Sequence, residues 1–218
     1  MKPVLLINFK TYREGTGKNA VKLAKIIDQA ARKKKANVVI AVETADIYAV
    51  SKAVKIPVYA QHIDPIEEGA HTGAVLAKDV KENGARGTLL NHSEKRMRFR
   101  DLRNSIEIAR KNGLRTVVCV NDTAYERRVR RFRPDYIAIE PPELIGTGIS
   151  ISTARPGLIK KALKVAREIP LLCGAGVSSG DDVRRALQLG ASGVLAASAV
   201  VKAKNQKAVI LQMINGLG

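Results

Sequence analysis

Eight short apolar runs, rich in β-branched residues and separated by helix-like segments, constrain this chain more than any other feature. They cover residues 4–9, 37–42, 56–61, 87–91, 116–120, 136–140, 170–174 and 193–197. Each is apolar on both faces, the pattern of strands covered on both sides of a parallel sheet. Helix patterns fill the gaps over residues 19–34, 45–54, 74–83, 100–112, 123–132, 153–168, 179–189 and 205–215. Several stop at glycine, as in Asn83-Gly84, Asn112-Gly113 and Leu189-Gly190, where a helix turns out of its spiral most easily.

Such alternation fits two architectures, a closed (β/α)8 barrel of eight parallel strands and an open doubly wound sheet. The open sheet would place a G-x-G-x-x-G turn after the first strand, but Asn8-Phe9-Lys10-Thr11-Tyr12 stands there. Polar groups also end several different strands: Asn8 and Lys10 on the first, Asn91-His92-Ser93-Glu94 on the fourth, Glu140 on the sixth. Delivering polar side chains to one rim from many strands is the habit of a barrel. No Pro/Ser-rich linker divides the 218 residues, so the expectation is one α/β domain spanning 1–218.

Hydrophobic residues make up 45% of the chain, enough for an ordinary core, and no apolar run approaches the ~20 residues of a membrane span. The opening MKPVLLIN reads as the approach to a first strand rather than a secretion signal. Cys119 and Cys173 both sit in apolar runs and read as buried free thiols, so a cytoplasmic location is expected. The charge is +18, with 38 Lys and Arg against 20 Asp and Glu. These basic residues fall mostly on the polar faces of helices, few aromatics accompany them, and no zinc-ligand spacing occurs. A solvated basic surface is expected, binding nucleic acid by nonspecific electrostatics only.

Three groups carry chemistry. Glu140 ends an apolar strand and opens the segment 140–148, EPPELIGTG, whose prolines and glycines suit a lid; closure would strip water from the carboxylate and raise its basicity. His92 precedes Ser93-Glu94, which reads as the start of a short helix whose positive end favours neutral imidazole. Lys10 supplies a cation, Asn8 a side-chain donor beside it, and Glu94 a partner for Lys10. His62 and His71 lack such surroundings and read as structural or surface residues. The small-residue segments 173–179 and 193–199, CGAGVSS and GVLAASA, follow strands seven and eight. Their backbone N–H groups suit an anion, helped by a short helix starting near Ala197.

Along essentially its whole length the chain resembles the triosephosphate isomerase family. The matching motifs are Asn8-Phe9-Lys10, Ala60-Gln61, Gly69-Ala70-His71-Thr72-Gly73 and Asn91-His92-Ser93-Glu94-Lys95-Arg96. Cys119, Glu140-Pro141, Ile145-Gly146-Thr147-Gly148 and the last two loops complete the ordered set. The resemblance implies a TIM barrel, interconversion of two triose phosphates in glycolysis and gluconeogenesis, and no metal or organic cofactor. It implies Glu140 as base, His92 as electrophile, and Lys10 and Asn8 as charge-balancing and orienting groups. By the same resemblance Ile145, Gly146, Gly174, Gly176, Ala197 and Ser198 line the phosphate side. The short length, the lid opening Pro-Pro-Glu where many members have Pro-Val-Trp, and Val120-Asn121-Asp122 after Cys119 resemble the compact archaeal branch. Its members often form tetramers, with residues 64–73 entering a neighbouring subunit, so a homo-oligomer is expected. Two other readings compete: a different phosphate-handling barrel, disfavoured because no Lys lies inside a strand, and a catalytically idle binding protein.

Overall fold

The computed structural model describes residues 2–218; Met1, the first residue of the opening segment, lies outside them. The eight strands are β1 (Val4–Asn8), β2 (Asn37–Val42), β3 (Val58–Ala60), β4 (Gly87–Leu90), β5 (Arg115–Val120), β6 (Tyr136–Ile139), β7 (Leu171–Cys173) and β8 (Gly193–Ala196). Neighbours pair in chain order, and β1 also pairs with β8, all in parallel, so the sheet closes on itself. Closure leaves no strand edge and removes the open-sheet alternative.

Alternation along each strand sorts the side chains. Val4 and Leu6 of β1 join Val39, Ala41, Tyr59, Leu89, Val117, Cys119, Tyr136, Ala138, Leu172 and Leu195 in a cluster that fills the barrel. Leu5, Ile7, Val38 and Ile40 point the other way, into the larger core beneath the helices. Continuing the inward series past the apolar positions brings β1 to Asn8 and β6 to Glu140. The barrel is therefore apolar through most of its depth and polar at the C-terminal rim.

Around it run α1 (Gly17–Lys34), α2 (Ile47–Ala53), α3 (Ala77–Glu82), α4 (Phe99–Lys111), α5 (Thr123–Val129), α6 (Ile151–Ala154), α7 (Pro156–Ala166), α8 (Gly180–Gln188), α9 (Ser198–Val201) and α10 (Gln206–Asn215). The expected helix over 153–168 is broken into α6 and α7. Pro156 cannot donate to the preceding turn, and Arg155 before it is driven off helical geometry to φ −139, ψ 56. The expected helix over 74–83 starts late, at Ala77. Asp64 and Val75 bind each other, Asp64 N–H to Val75 carbonyl at 2.9 Å and Val75 N–H to the Asp64 carboxylate at 2.7 Å, which keeps the residues before α3 extended. The strand expected over 56–61 shortens to β3 because the N–H groups of Lys55 and Ile56 are taken by the Asp28 carboxylate.

Candidate active site

Each functional side chain is aimed by a local backbone device. On β1 the alternation is Asn8 in, Phe9 out and fully buried, Lys10 in. Lys10 takes φ 50, the left-handed region, where Asn8 Oδ1 accepts its N–H at 3.0 Å and Gln61 Nε2 donates to its carbonyl at 3.0 Å. A lysine held in that region costs backbone strain, which these two bonds offset. The ammonium meets Glu94 at 2.7 Å.

On β4 the device is Asn91, also left-handed at φ 58. Its Nδ2 donates to the Cys119 carbonyl at 2.8 Å and its Oδ1 accepts from Met97 N–H at 3.0 Å. The reversal breaks the in–out alternation and turns His92 into the barrel mouth. The short helix expected after His92 is absent; Ser93–Lys95 form a turn, closed by Lys95 N–H to His92 carbonyl at 2.9 Å. The imidazole is nevertheless kept neutral. Burial first, then the positive charge of Lys10, pushes its pKa from 6.5 down to about 4, against the opposing Glu94. Nδ1 accepts the Glu94 N–H at 3.2 Å, which leaves the ring's proton on Nε2.

Glu140 is 1% exposed and ends the inward series of β6. Neither carboxylate oxygen accepts a well-formed hydrogen bond. Burial pushes its pKa from 4.5 to about 7, while the Cys119 thiol, a weak donor, and the charges of Arg96 and Lys10 pull the other way. Oε1 lies 3.8 Å from His92 Nε2, too far for a hydrogen bond between them. Room for this carboxylate comes from Gly174 at the end of β7: a Cβ there would sit 2.6 Å from Glu140 Cγ.

The segment expected to serve as a lid runs over residues 141–148. Residues Pro142–Leu144 form a single 3-10 turn, and Leu144 is buried in the core beneath it. Thr147 Oγ1 donates to the Leu144 carbonyl at 3.0 Å and accepts from Ile149 N–H at 3.1 Å, so the glycine-rich tip is internally tied. Glu143, which with Pro142 departs from the common family sequence here, pairs with Arg155 at 2.8 Å, just ahead of α7. The far end of the segment rests on loop seven. Gly176 sits at φ 69, and any Cβ there would fall 1.8 Å from the Ile149 carbonyl oxygen.

A cleft gathers these parts. Lys10, His92, Glu140, Ile145, Gly146, Gly174, Gly176, Ala197 and Ser198 all line it. At its far end Ala197, Ser198 and Ala199 open α9, whose first N–H groups have no acceptor within the helix. Asn8 and Glu94 stand behind Lys10 instead, lining a separate pocket with Gln61, His62 and Lys95. His62 hydrogen-bonds Asp64 at 3.0 Å and His71 lies exposed in loop three, away from the cleft. Sequence reasoning passed over Tyr12, which lines the cleft beside Lys10, and Arg96, whose guanidinium donates to the Asn91 carbonyl at 3.0 Å. Tyr12 carries no signal of its own; Arg96 could have been found from its place in the NHSEKR motif.

Fold and site together define a (β/α)8 barrel with a carboxylate, an imidazole, an ammonium and the start of α9 gathered on its C-terminal face. The sequence model of the family described as "Triosephosphate isomerase" matches residues 3–216. The chain belongs to the triosephosphate isomerase family. It is 42% identical over 219 residues to the triosephosphate isomerase of Methanobrevibacter smithii, covering 99% of each chain. Against that of Methanocaldococcus jannaschii it is 45% identical over 215 residues, covering 97% of this chain and 98% of the relative. The solved structure of triosephosphate isomerase from Bartonella henselae has the same fold, with TM-score 0.76 at 19% identity and 99% of each chain covered.

Proposed function

We propose that this protein interconverts dihydroxyacetone phosphate and D-glyceraldehyde 3-phosphate through an enediolate. Glu140 takes the proton from the carbon beside the carbonyl and returns it to the neighbouring carbon. His92, neutral and carrying its proton on Nε2, donates to the carbonyl oxygen and moves protons between the two oxygens. Lys10 offsets the negative charge that grows on the enediolate. The N–H groups around Gly176 and the start of α9 receive the phosphate, with Ile145 and Gly146 closing over it. A raised carboxylate beside a lowered imidazole is a pattern for which triosephosphate isomerase is itself the standard worked case, so these roles follow the family. General acid–base action of this kind contributes ~10² to 10⁴ per group, and a dry cleft strengthens Lys10 and the N–H dipoles further.

One observation carries the reading: a buried carboxylate and a neutral imidazole 3.8 Å apart face the same cleft as Lys10. Turnover in both directions, measured for wild type and Glu140→Gln, tests it. A loss of ~10³-fold or more with the fold intact is expected, and equal rates for the two proteins would reject the assignment.

The same reading places the chain in the cytoplasm as one domain and a homo-oligomer, a tetramer before a dimer. Loop three favours this: most of residues 66–75 is exposed, while the polar pocket behind Lys10 and His92 offers a socket for a neighbour's loop. Light scattering that finds a monomer at every concentration would refute it.

A further inference from the structure

The positive charge of this protein is sorted by chemistry. Residues 96–133 hold eleven of the eighteen arginines but one of the twenty lysines. That stretch carries twelve basic against four acidic residues in under a fifth of the chain. It builds α4, β5 and α5, and side chains of α4 reach α5 and the turn that follows it. Phe99 of α4 packs edge-on to Tyr125, with ring centres 6.0 Å apart, and against Phe132 at 4.8 Å. Arg110 at the other end of α4 donates to the carbonyls of Phe132 and Arg133, both at 2.9 Å.

On this face Arg98, Arg100, Arg103, Arg127, Arg128, Arg131 and Arg133 are exposed. Among the described residues Arg103 alone of the eleven arginines has an acidic partner, Glu107 at 2.9 Å. Of the other acids, Asp122 caps α5 and Glu126 is wholly buried, which leaves Asp101 in the first turn of α4 as the one remaining half-buried carboxylate of this stretch. We propose that the α4–α5 face is a docking surface for the phosphate backbone of nucleic acid. Arginine rather than lysine suits it, because the planar guanidinium fork grips phosphate oxygens through two parallel hydrogen bonds. Reading of bases is not part of the design. The three aromatic rings cover one another, and the Arg128 guanidinium lies 4.1 Å from the centre of the Phe99 ring, so no free ring is left for stacking. A second copy of the chain docking here about a two-fold axis would set guanidinium against guanidinium, which disfavours self-association through this face.

The test is anisotropy of a labelled RNA duplex of about twenty base pairs, at ~50 and ~200 mM salt. Micromolar binding by the intact protein is expected, falling steeply with salt. The triple variant Arg100→Gln, Arg127→Gln, Arg131→Gln should lose tenfold or more in affinity, with a salt slope shallower by about three. Lys33→Gln, Lys160→Gln, Lys164→Gln, which removes the same charge from other helices, should lose less than about twofold. Isomerase turnover is expected to be unchanged in both variants and serves as the check on folding. Should the arginine variant not fold, arginine-directed labelling of wild type with phenylglyoxal replaces it: the duplex should protect Arg100, Arg127 and Arg131. Equal losses in the two variants, unprotected arginines, or no binding at 50 mM salt would each overturn the proposal. Polyglutamate binding as tightly as the duplex would also overturn it, in favour of an acidic protein partner.

Discussion

Two glutamates in this barrel have the same burial and opposite meanings. Glu140 at the end of β6 is 1% exposed and Glu126 on α5 is 0% exposed, and neither offers an oxygen with a hydrogen-bond partner. Burial raises both, to about 7 for Glu140 and about 8 for Glu126. They part in what surrounds them. Glu140 also feels the Cys119 thiol, Arg96, Lys10 and Glu94 and borders the cleft, whereas burial is the whole cause for Glu126, which does not line that cleft. A perturbed carboxylate therefore does not mark a catalytic centre on its own; convergence of several groups on reachable space does.

The sharpest way to break that comparison is the same change at both sites. Glu140→Gln is expected to lower kcat by ~10³ or more, and Glu126→Gln to leave kcat within about twofold, since only the first group can reach substrate. Comparable losses in steady-state assays would mean that Glu126 supports the chemistry after all. A smaller effect comes from moving Glu140 without altering it. Gly174→Ala puts a methyl group 2.6 Å from Glu140 Cγ, and displacing the base by about an ångström should lower kcat by ~10- to 100-fold with the fold kept. An unimpaired Gly174→Ala would show that the carboxylate position is not critical.

The pH dependence sharpens the pair further. As the proposed base, Glu140 would work only when ionised, and burial pushes its pKa up to about 7. Below that, kcat/KM should fall by about tenfold per pH unit, because the protonated fraction grows tenfold per unit. His92, pushed down to about 4, contributes no limb in the neutral range, and its ring should show no protonation by NMR above about pH 5. A second inflection near pH 6 that disappears in His92→Gln would contradict the neutral-imidazole assignment.

Glu140 was legible from sequence and Glu126 was not, for a physical reason. The in–out alternation of an apolar strand carries through Tyr136 and Ala138 to Glu140, so its inward aim can be read from spacing alone. Glu126 lies within TAYERRVRR, where a glutamate among arginines looks solvated, and only the packed helix shows that 126 and 129 share its buried face. The closed barrel was likewise readable, from alternation together with polar groups ending several strands and the missing G-x-G-x-x-G turn. What stayed hidden depended on contacts distant in sequence: the Asp64–Val75 clasp that delays α3, and the Asp28 carboxylate that trims β3. The cause of His92 neutrality was misassigned for a related reason. A turn held by left-handed Asn91 stands where a helix start was expected, and burial with Lys10 does the work instead.

The smallest effect concerns stability and belongs to Glu126 alone. Its pKa is raised in the folded protein to about 8, while an unfolded chain releases the proton near 4.5. Between these values the folded state binds more protons than the unfolded one, so this group lowers stability as pH rises from about 4.5 to about 8. The cost approaches an upper bound on the order of 3 kcal/mol at neutral pH. Glu126→Met fills the same space without an ionisable group and removes that slope. Its gain in Tm over wild type, at about 2–4 °C per kcal/mol for a chain of this size, should be clearly larger at pH 8 than at pH 5. Calorimetry showing equal gains at the two pH values would mean that Glu126 finds solvent or a partner when it ionises, and the contrast with Glu140 would then rest on position alone.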